Sequence, residues 1–355
     1  MWIYLLLGAG IFMGWSLGTN DAANAFGTAV ATGVVKYRTA VTIIAIMVTL
    51  GAFLQGSLNL ESVNKLAVTN AIIPTKEAVL AEIEAGNQEW LDSLVWKSTL
   101  RAALIFVVSA VVVFIMSYLK FPVSANQSIT GAIIGWGLAY GSKMEGDNLK
   151  QILKFASTWI MSPAGAIVIS FILITLTNKF LVPLLNKLSN QALIVKIGYI
   201  IAGAYGAYSI GRNSSANVTS LYYGEIIEGH PTNLLSNAQL TATIGGIAIA
   251  IGVLTYSKKV MMTVGSSIAP LTQIEGFVVI IAMSLTITLI GDIMQIPVST
   301  SQAVVGAVVG AGLTKGWRCV NFGVFKNIAI AWVSSPLAAG VVAYLVALAT
   351  KGILA

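Results

Sequence analysis

Charge is what this chain has least of. Asp, Glu, Lys and Arg make up 9% of its 355 residues, against 57% hydrophobic residues; soluble domains carry about 25% charged residues. With a mean hydropathy of +0.86, such a chain needs lipid to cover its surface. Cysteine is nearly absent as well. Cys319 stands alone, which excludes an intrachain disulfide and a cysteine-based zinc site. The single histidine, His230, sits in the loop-like run Glu228-Gly229-His230-Pro231. Few carboxylates interrupt the apolar runs, so the acids, bases and nucleophiles an enzyme needs are scarce; no catalytic residue is assigned and no cofactor is expected. No Lys or Arg precedes the first apolar run at Met1-Trp2-Ile3-Tyr4. A secretory signal carries a positive n-region, so the first segment is expected to stay. The net charge of +7 sits at segment ends, where it reads as membrane orientation, not nucleic-acid binding.

What is present is a series of apolar runs of spanning length, about 20 residues each. They fall near 2–35, 39–58, 98–119, 122–141, 152–177, 193–224, 238–256, 276–296, 298–314 and 328–350. The sequence therefore predicts an all-α polytopic membrane protein with 10–12 transmembrane segments, some of them broken or half-length, multi-pass in the cell (inner or plasma) membrane.

Two motifs occur twice. Gly18-Thr19-Asn20-Asp21-Ala22-Ala23-Asn24 is answered by Gly211-Arg212-Asn213-Ser214-Ser215-Ala216-Asn217, each with two Asn four residues apart. The run from Pro122 to Gly141 matches the run from Pro297 to Gly316 at ten of twenty positions, including Pro, Ser, Gln and four Gly. Shared Leu or Val is common by chance between apolar helices; this set is not. The pattern divides the chain into a first repeat at 1–180, with an extramembrane loop at about 61–97, and a second at 190–355. That loop holds six of the thirteen acidic residues. Val79, Leu80, Ile83 and Trp90 allow it a short amphipathic helix at the membrane surface; a solvated loop fits equally well.

Charges at equivalent ends are opposite. Lys36 and Arg38 follow the first cluster, Glu225 and Glu228 the second; the acidic 61–97 loop corresponds to Lys258 and Lys259. Cytoplasmic loops favour Lys and Arg, which places Lys36/Arg38, Lys179, Lys187, Lys196 and Lys258/Lys259 inside and both acidic stretches outside. The halves are thus predicted to be inverted, although Lys143, Lys150 and Lys154 run against the rule. Inverted repeats with interrupted helices are typical of transporters.

Helix breaks inside a bilayer are tolerated where protein or a cavity satisfies the backbone. Gly18 and Gly211 are expected to let the chain unwind, while Asn20, Asp21, Asn24, Asn213 and Asn217 offer oxygens suited to a hard cation such as sodium; helix–helix hydrogen bonding is the alternative. Pro122 and Pro297 are read as opening helices. Behind them stand Ser124, Asn126, Gln127 and Ser128, and Ser299, Thr300, Ser301 and Gln302. Free N–H groups and the positive dipole end at a helix start bind anions; plain N-capping by Ser124 and Ser299 is the alternative. Arg212 either faces an anionic substrate or anchors orientation, and Asp292 either reaches the interface or titrates.

The segment from Gly18 to Thr28, followed by Gly33-Val34-Val35, resembles the signature of the inorganic phosphate transporter (PiT) family, and the Pro-Val-Ser motifs at 122 and 297 resemble its second signature. The resemblance runs from residue 1 to about 350. It implies an inverted-repeat symporter importing phosphate with sodium, commonly a homodimer, with phosphate on Ser124, Asn126, Gln127, Ser128, Ser299, Thr300, Ser301 and Gln302. Sodium would fall to Asn20, Asp21, Asn24, Asn213 and Asn217, and Glu61 resembles a functional glutamate of the family. Ser214 stands where many members have Asp, and Gln127 and Gln302 where some animal members have His, which favours sodium over protons. A proton-coupled phosphate carrier or a sulfate carrier is the nearest alternative, and a membrane-embedded phosphatase the one from another class.

Overall fold

The computed structural model of the chain describes residues 2–119, 122–185, 190–258, 261 and 268–354. Nearly all of it is helix: α1 (Trp2–Ala31), α2 (Tyr37–Gln55), α3 (Leu60–Thr69), α4 (Lys76–Glu84), α5 (Gln88–Tyr118), α6 (Ala125–Ala139), α7 (Gly146–Leu176), α8 (Gln191–Ser214), α9 (Ala238–Tyr256), α10 (Gln273–Met294), α11 (Thr300–Leu313) and α12 (Phe322–Leu354). Polar residues mark several starts. Thr75, Asn87, Asn237 and Thr272 each accept a backbone N–H of the first turn, and Thr272 forms a capping box with Glu275, the reciprocal pairing that satisfies two orphan donors. A two-residue hairpin pairs Ile226–Ile227 with His230–Pro231.

Seven helical stretches among the described residues are long and apolar enough to cross a membrane. One of them, the 31-residue α5, reaches about 46 Å at 1.5 Å per residue. By contrast α6 and α11, of 15 and 14 residues, reach about 22 Å, short of a hydrocarbon core of about 30 Å. They are half-helices. The protein is an all-α, multi-pass membrane protein.

The predicted helix breaks move. α1 runs unbroken through Asn20, Asp21 and Asn24, so Gly18 does not unwind the chain. A Cβ on Gly18 would lie 2.1 Å from the carbonyl oxygen of Ile249, and one on Gly211 1.9 Å from that of Val48. These glycines serve close approach of helices: α1 packs along α9, and α2 along α8. The actual breaks come at Ser215, where α8 gives way to a short turn at Ala216–Thr219, and at the 3-10 turn Gly56–Asn59. Pro122 and Pro297 are also displaced from expectation. Each lies two residues before its N-cap, Ser124 or Ser299, so the proline precedes the helix instead of opening it.

The half-helices are swapped in the same way, α6 packing along α12 and α11 along α7. Gly131 and Gly306 face the backbones of Pro336 and Pro163, where an added Cβ would come within 2.2 and 2.4 Å.

Two of the predicted charge groupings can be followed. At one end Glu61 and Glu225 line a single cavity, and Val79, Leu91 and Leu94 pack on Ile227. The 61–97 stretch is therefore α3, α4 and the start of α5, with the apolar side of α4 docked on the protein. At the other end the Lys258 ammonium lies 5.8 Å from the Tyr37 ring centre, and the hydroxyls of Tyr37 and Ser257 are 3.3 Å apart. Lys187 and Lys259 lie outside the described residues. Lys143 and Lys150 belong to the acidic end, since Asn148 meets Asn70 there. Each has a carboxylate partner, Glu145 at 3.5 Å and Asp147 at 3.1 Å, so their charge is locally offset.

Candidate functional site

The starts of α6 and α11 meet in the middle of the bundle. Ser124 and Ser299 accept the N–H groups of Gln127 and Gln302 at 3.3 and 3.2 Å, which makes them N-caps. The caps are themselves held: Trp332 Nε1 donates to the Pro122 carbonyl at 3.1 Å, and Ser162 Oγ to the Ser299 carbonyl at 2.9 Å. Across the junction, Asn126 Nδ2 donates to the Pro297 carbonyl at 2.7 Å and Ser301 Oγ to the Val123 carbonyl at 2.8 Å.

Against this junction α1 presents its polar cluster. Thr300 Oγ1 donates to Asp21 Oδ2 at 2.8 Å; Asn24 Nδ2 lies 3.3 Å from Asp21 Oδ1 and 3.4 Å from Thr300 Oγ1. Asn20 Nδ2 donates to Ser117 Oγ at 2.8 Å, and its Oδ1 is 3.5 Å from Ser301 Oγ. Asp21, 3% exposed, has no Lys, Arg or His within ion-pair distance among the described residues. From the other half, Asn213 takes a different role. Its Nδ2 donates to the Val298 carbonyl and its Oδ1 accepts the Val298 N–H, both at 2.7 Å, clasping the backbone just before α11.

Between these groups lies a cavity of about 10 Å³ lined by Leu17, Asp21, Ser124, Asn126, Asn217 and Thr300, with Ser214, Val298 and Ser299. That is room for about one water. On its wall Asn126 Oδ1 and Asn217 Oδ1 are buried without a hydrogen-bond partner, and so are Gln127 Oε1 and Gln302 Oε1 away from the wall. An unsatisfied buried polar group costs about 1–3 kcal/mol, so the two amide oxygens on the wall, beside the Asp21 carboxylate, suit a ligand with positive charge or donors.

The structure brings together most of the residues picked from sequence, with exceptions. Gln127, Gln302 and Ser128 stand behind the caps instead of on the cavity wall; Ser128 Oγ is 3.4 Å from the Ser124 carbonyl. Glu61, Arg212 and Asp292 lie apart, in a vestibule of about 590 Å³ that also includes Asn59, Asn64, Tyr223, Glu225 and Gln295. Arg212 and Asp292 form an ion pair there. Burial pushes the Tyr223 hydroxyl above its ordinary pKa, and the nearby Glu225 and Glu61 push it further. A smaller cavity lined by Asn59, Ser209, Arg212, Asn213 and Thr288 lies beneath.

Sequence reasoning missed Ser117, Ser162 and Trp332. Ser162-Pro163 and Ser335-Pro336 are repeated Ser-Pro pairs in apolar segments, a signal that leads to Ser162. Ser117 carries no such mark.

Two facing half-helices, capped alike, close on a buried carboxylate inside a helical membrane bundle. The profile of the phosphate transporter family matches residues 17–343, and the chain belongs to that family. Among similar proteins, "Putative phosphate permease" of Pyrococcus furiosus is 28% identical over 94% of this chain and 92% of its own length. The protein of the same name from Methanocaldococcus jannaschii is 27% identical, covering 93% and 92%. A solved structure, "The sodium-dependent phosphate transporter", superposes with a TM-score of 0.75 at 23% identity, covering 99% of this chain and 100% of that one; likeness at that identity speaks for a shared fold.

Proposed function

We propose that the chain imports inorganic phosphate by symport with sodium. The observation that carries the reading is the meeting of the two capped half-helices around Asp21, with unpaired amide oxygens at the seam. Phosphate binds between the starts of α6 and α11, using their free N–H groups and the hydroxyls and amides of Ser124, Asn126, Ser299, Thr300 and Ser301. Gln127, Gln302 and Ser128 complete the second layer. Sodium binds through oxygens of Asp21, Asn20, Asn24 and Asn217. Asn213 supports the site by holding Val298. A buried carboxylate without a cation is costly, and so is a desolvated phosphate. Sodium between the two offsets both, which couples the ions physically.

A cavity of about one water's size cannot admit phosphate, so loading requires the half-helices to part. The swapped pairs α6–α12 and α7–α11 are the natural moving bodies against α1, α2, α8 and α9. In this reading 1–180 and 190–355 are inverted repeats, and the acidic end faces outward. Sodium as the coupling ion is supported by the sodium dependence of the structural relative. The cavity wall also carries Asp21 without a second carboxylate among the described residues.

The test is uptake of labelled phosphate into proteoliposomes under an imposed sodium gradient, with sulfate as competitor. Sodium-driven uptake insensitive to sulfate is expected. Uptake driven equally by a proton gradient without sodium, or abolished by equimolar sulfate, refutes the reading.

A further inference from the structure

We propose that Arg212 is the first phosphate-binding group on the path to the Asp21 site, and that Asp292 is the internal carboxylate which phosphate displaces to reach it. The proposal rests on the phosphate-symport reading above and adds an entry step to it.

Three observations converge on the pair. First, its place: Arg212 and Gly291 line both the open vestibule and the small cavity beneath it. Arg212 therefore sits at the constriction where the two cavities adjoin, with Asp292 on its vestibule side. Second, its asymmetry: the Arg212 side chain is 13% exposed, whereas that of Asp292 is 52% exposed. The guanidinium is built into the wall and the carboxylate faces water, so the carboxylate is the partner free to leave. Third, its chemistry: Glu61, Glu225 and Asp292 are the other charged residues of the vestibule. An incoming oxyanion meets one cation there, and a guanidinium takes phosphate in the same bidentate geometry as carboxylate.

Displacement also has a route inward. The residue after Arg212 is Asn213, whose amide clasps Val298. Asp292 lies at the end of α10, three residues before Gln295, whose left-handed backbone (φ +49°) turns the chain toward Pro297. Both partners are thus tied to the segment that leads into α11. Exchanging carboxylate for phosphate at Arg212 loosens one tie and leaves the other, which opens the constriction on the side where the substrate arrives.

The experiment is sodium-driven phosphate uptake in proteoliposomes, comparing KM in three variants. With Asp292→Asn the internal competitor is gone, and KM for phosphate falls severalfold. With Arg212→Gln the binding group is gone, and KM rises by about tenfold, the weight of one charge-assisted contact. The exchanged pair Arg212→Asp/Asp292→Arg restores an ion pair while moving the cation off the wall, so KM stays raised. A purely structural ion pair predicts the opposite pattern: both single variants impaired in the same direction, and wild-type KM regained in the exchange. Either result overturns the proposal. Should Asp292→Asn not survive size-exclusion in detergent, Arg212→Lys decides, because it keeps the charge but loses the planar fork; an unchanged KM there also overturns it. Wild-type protein without sodium-driven uptake refutes the function reading instead, so the two failures are distinguishable.

Discussion

Asn20 and Asn213 occupy equivalent positions of the repeated motif, yet they act differently. Asn213 holds the backbone N–H and C=O of Val298 at once. Asn20 reaches the side chains of Ser117 and Ser301. The next position differs in kind, Asp21 against Ser214. One half therefore contributes a fixed clasp and the other a cluster of side chains around a charge. Backbone clasps define geometry; side-chain clusters can reorganise around an ion. At this position of the common pattern, the proposed reading gives Asp21 to the cation and Asn213 to positioning.

Replacing Asp21 with Asn tests that division most severely. It keeps shape and removes the charge, and losing one member of a buried ion pair costs about 3–5 kcal/mol. Sodium-driven phosphate uptake should fall by at least about 100-fold, while the protein inserts and elutes as wild type. Undiminished sodium dependence would remove Asp21 from the cation site. Replacing Asn213 with Ala tests the other half. The Val298 N–H and carbonyl would each be left unsatisfied at a cost of about 1–3 kcal/mol. Thermal stability should drop and phosphate KM rise, with the sodium concentration dependence unchanged. A shifted sodium dependence at wild-type stability would erase the contrast between the halves.

The repeated Pro-Val-Ser and Gly-x-Asn motifs made the half-helices and their meeting point legible, because polar residues within apolar runs have few reasons to recur. Of the charges at segment ends, Glu61 does share a cavity with Glu225, while Lys143 and Lys150 join the same end. Helix continuity was not legible. Gly18 reads as a break, yet its value lies in the backbone of Ile249 beside it, a partner 231 positions away that no local pattern reveals. The same holds for Arg212 and Asp292, which look like isolated charges until α8 and α10 bring them together. Long-range partnership is the information a single sequence carries least openly.

Glycine packing offers a prediction in which the halves should behave alike. Gly131→Ala and Gly306→Ala each force a methyl against a proline backbone, Pro336 or Pro163. Overpacking of this kind costs about 1–3 kcal/mol. Both variants should lower the melting temperature in detergent by similar amounts, whereas Gly8→Ala, with open space around it, should be neutral. Unequal losses would mean that the α6–α12 and α7–α11 contacts are not mechanical equivalents.

The smallest effect expected is at Ser117, and it sharpens the comparison most finely. Its hydroxyl accepts from Asn20 Nδ2 at 2.8 Å and donates to the Val113 carbonyl at 2.8 Å, so it orients the Asn20 amide with the oxygen toward Ser301. Ser117→Ala removes one neutral hydrogen bond, worth about 1 kcal/mol. The Asn20 amide is then less firmly oriented, and the sodium concentration for half-maximal uptake should rise about fivefold, with maximal rate and phosphate KM unchanged. Ser117→Thr, which keeps the hydroxyl, should restore the wild-type value. If Ser117→Ala altered phosphate KM and left sodium dependence alone, Asn20 would belong to the anion and not to the cation, and the cation site would have to be redrawn around Asp21, Asn24 and Asn217.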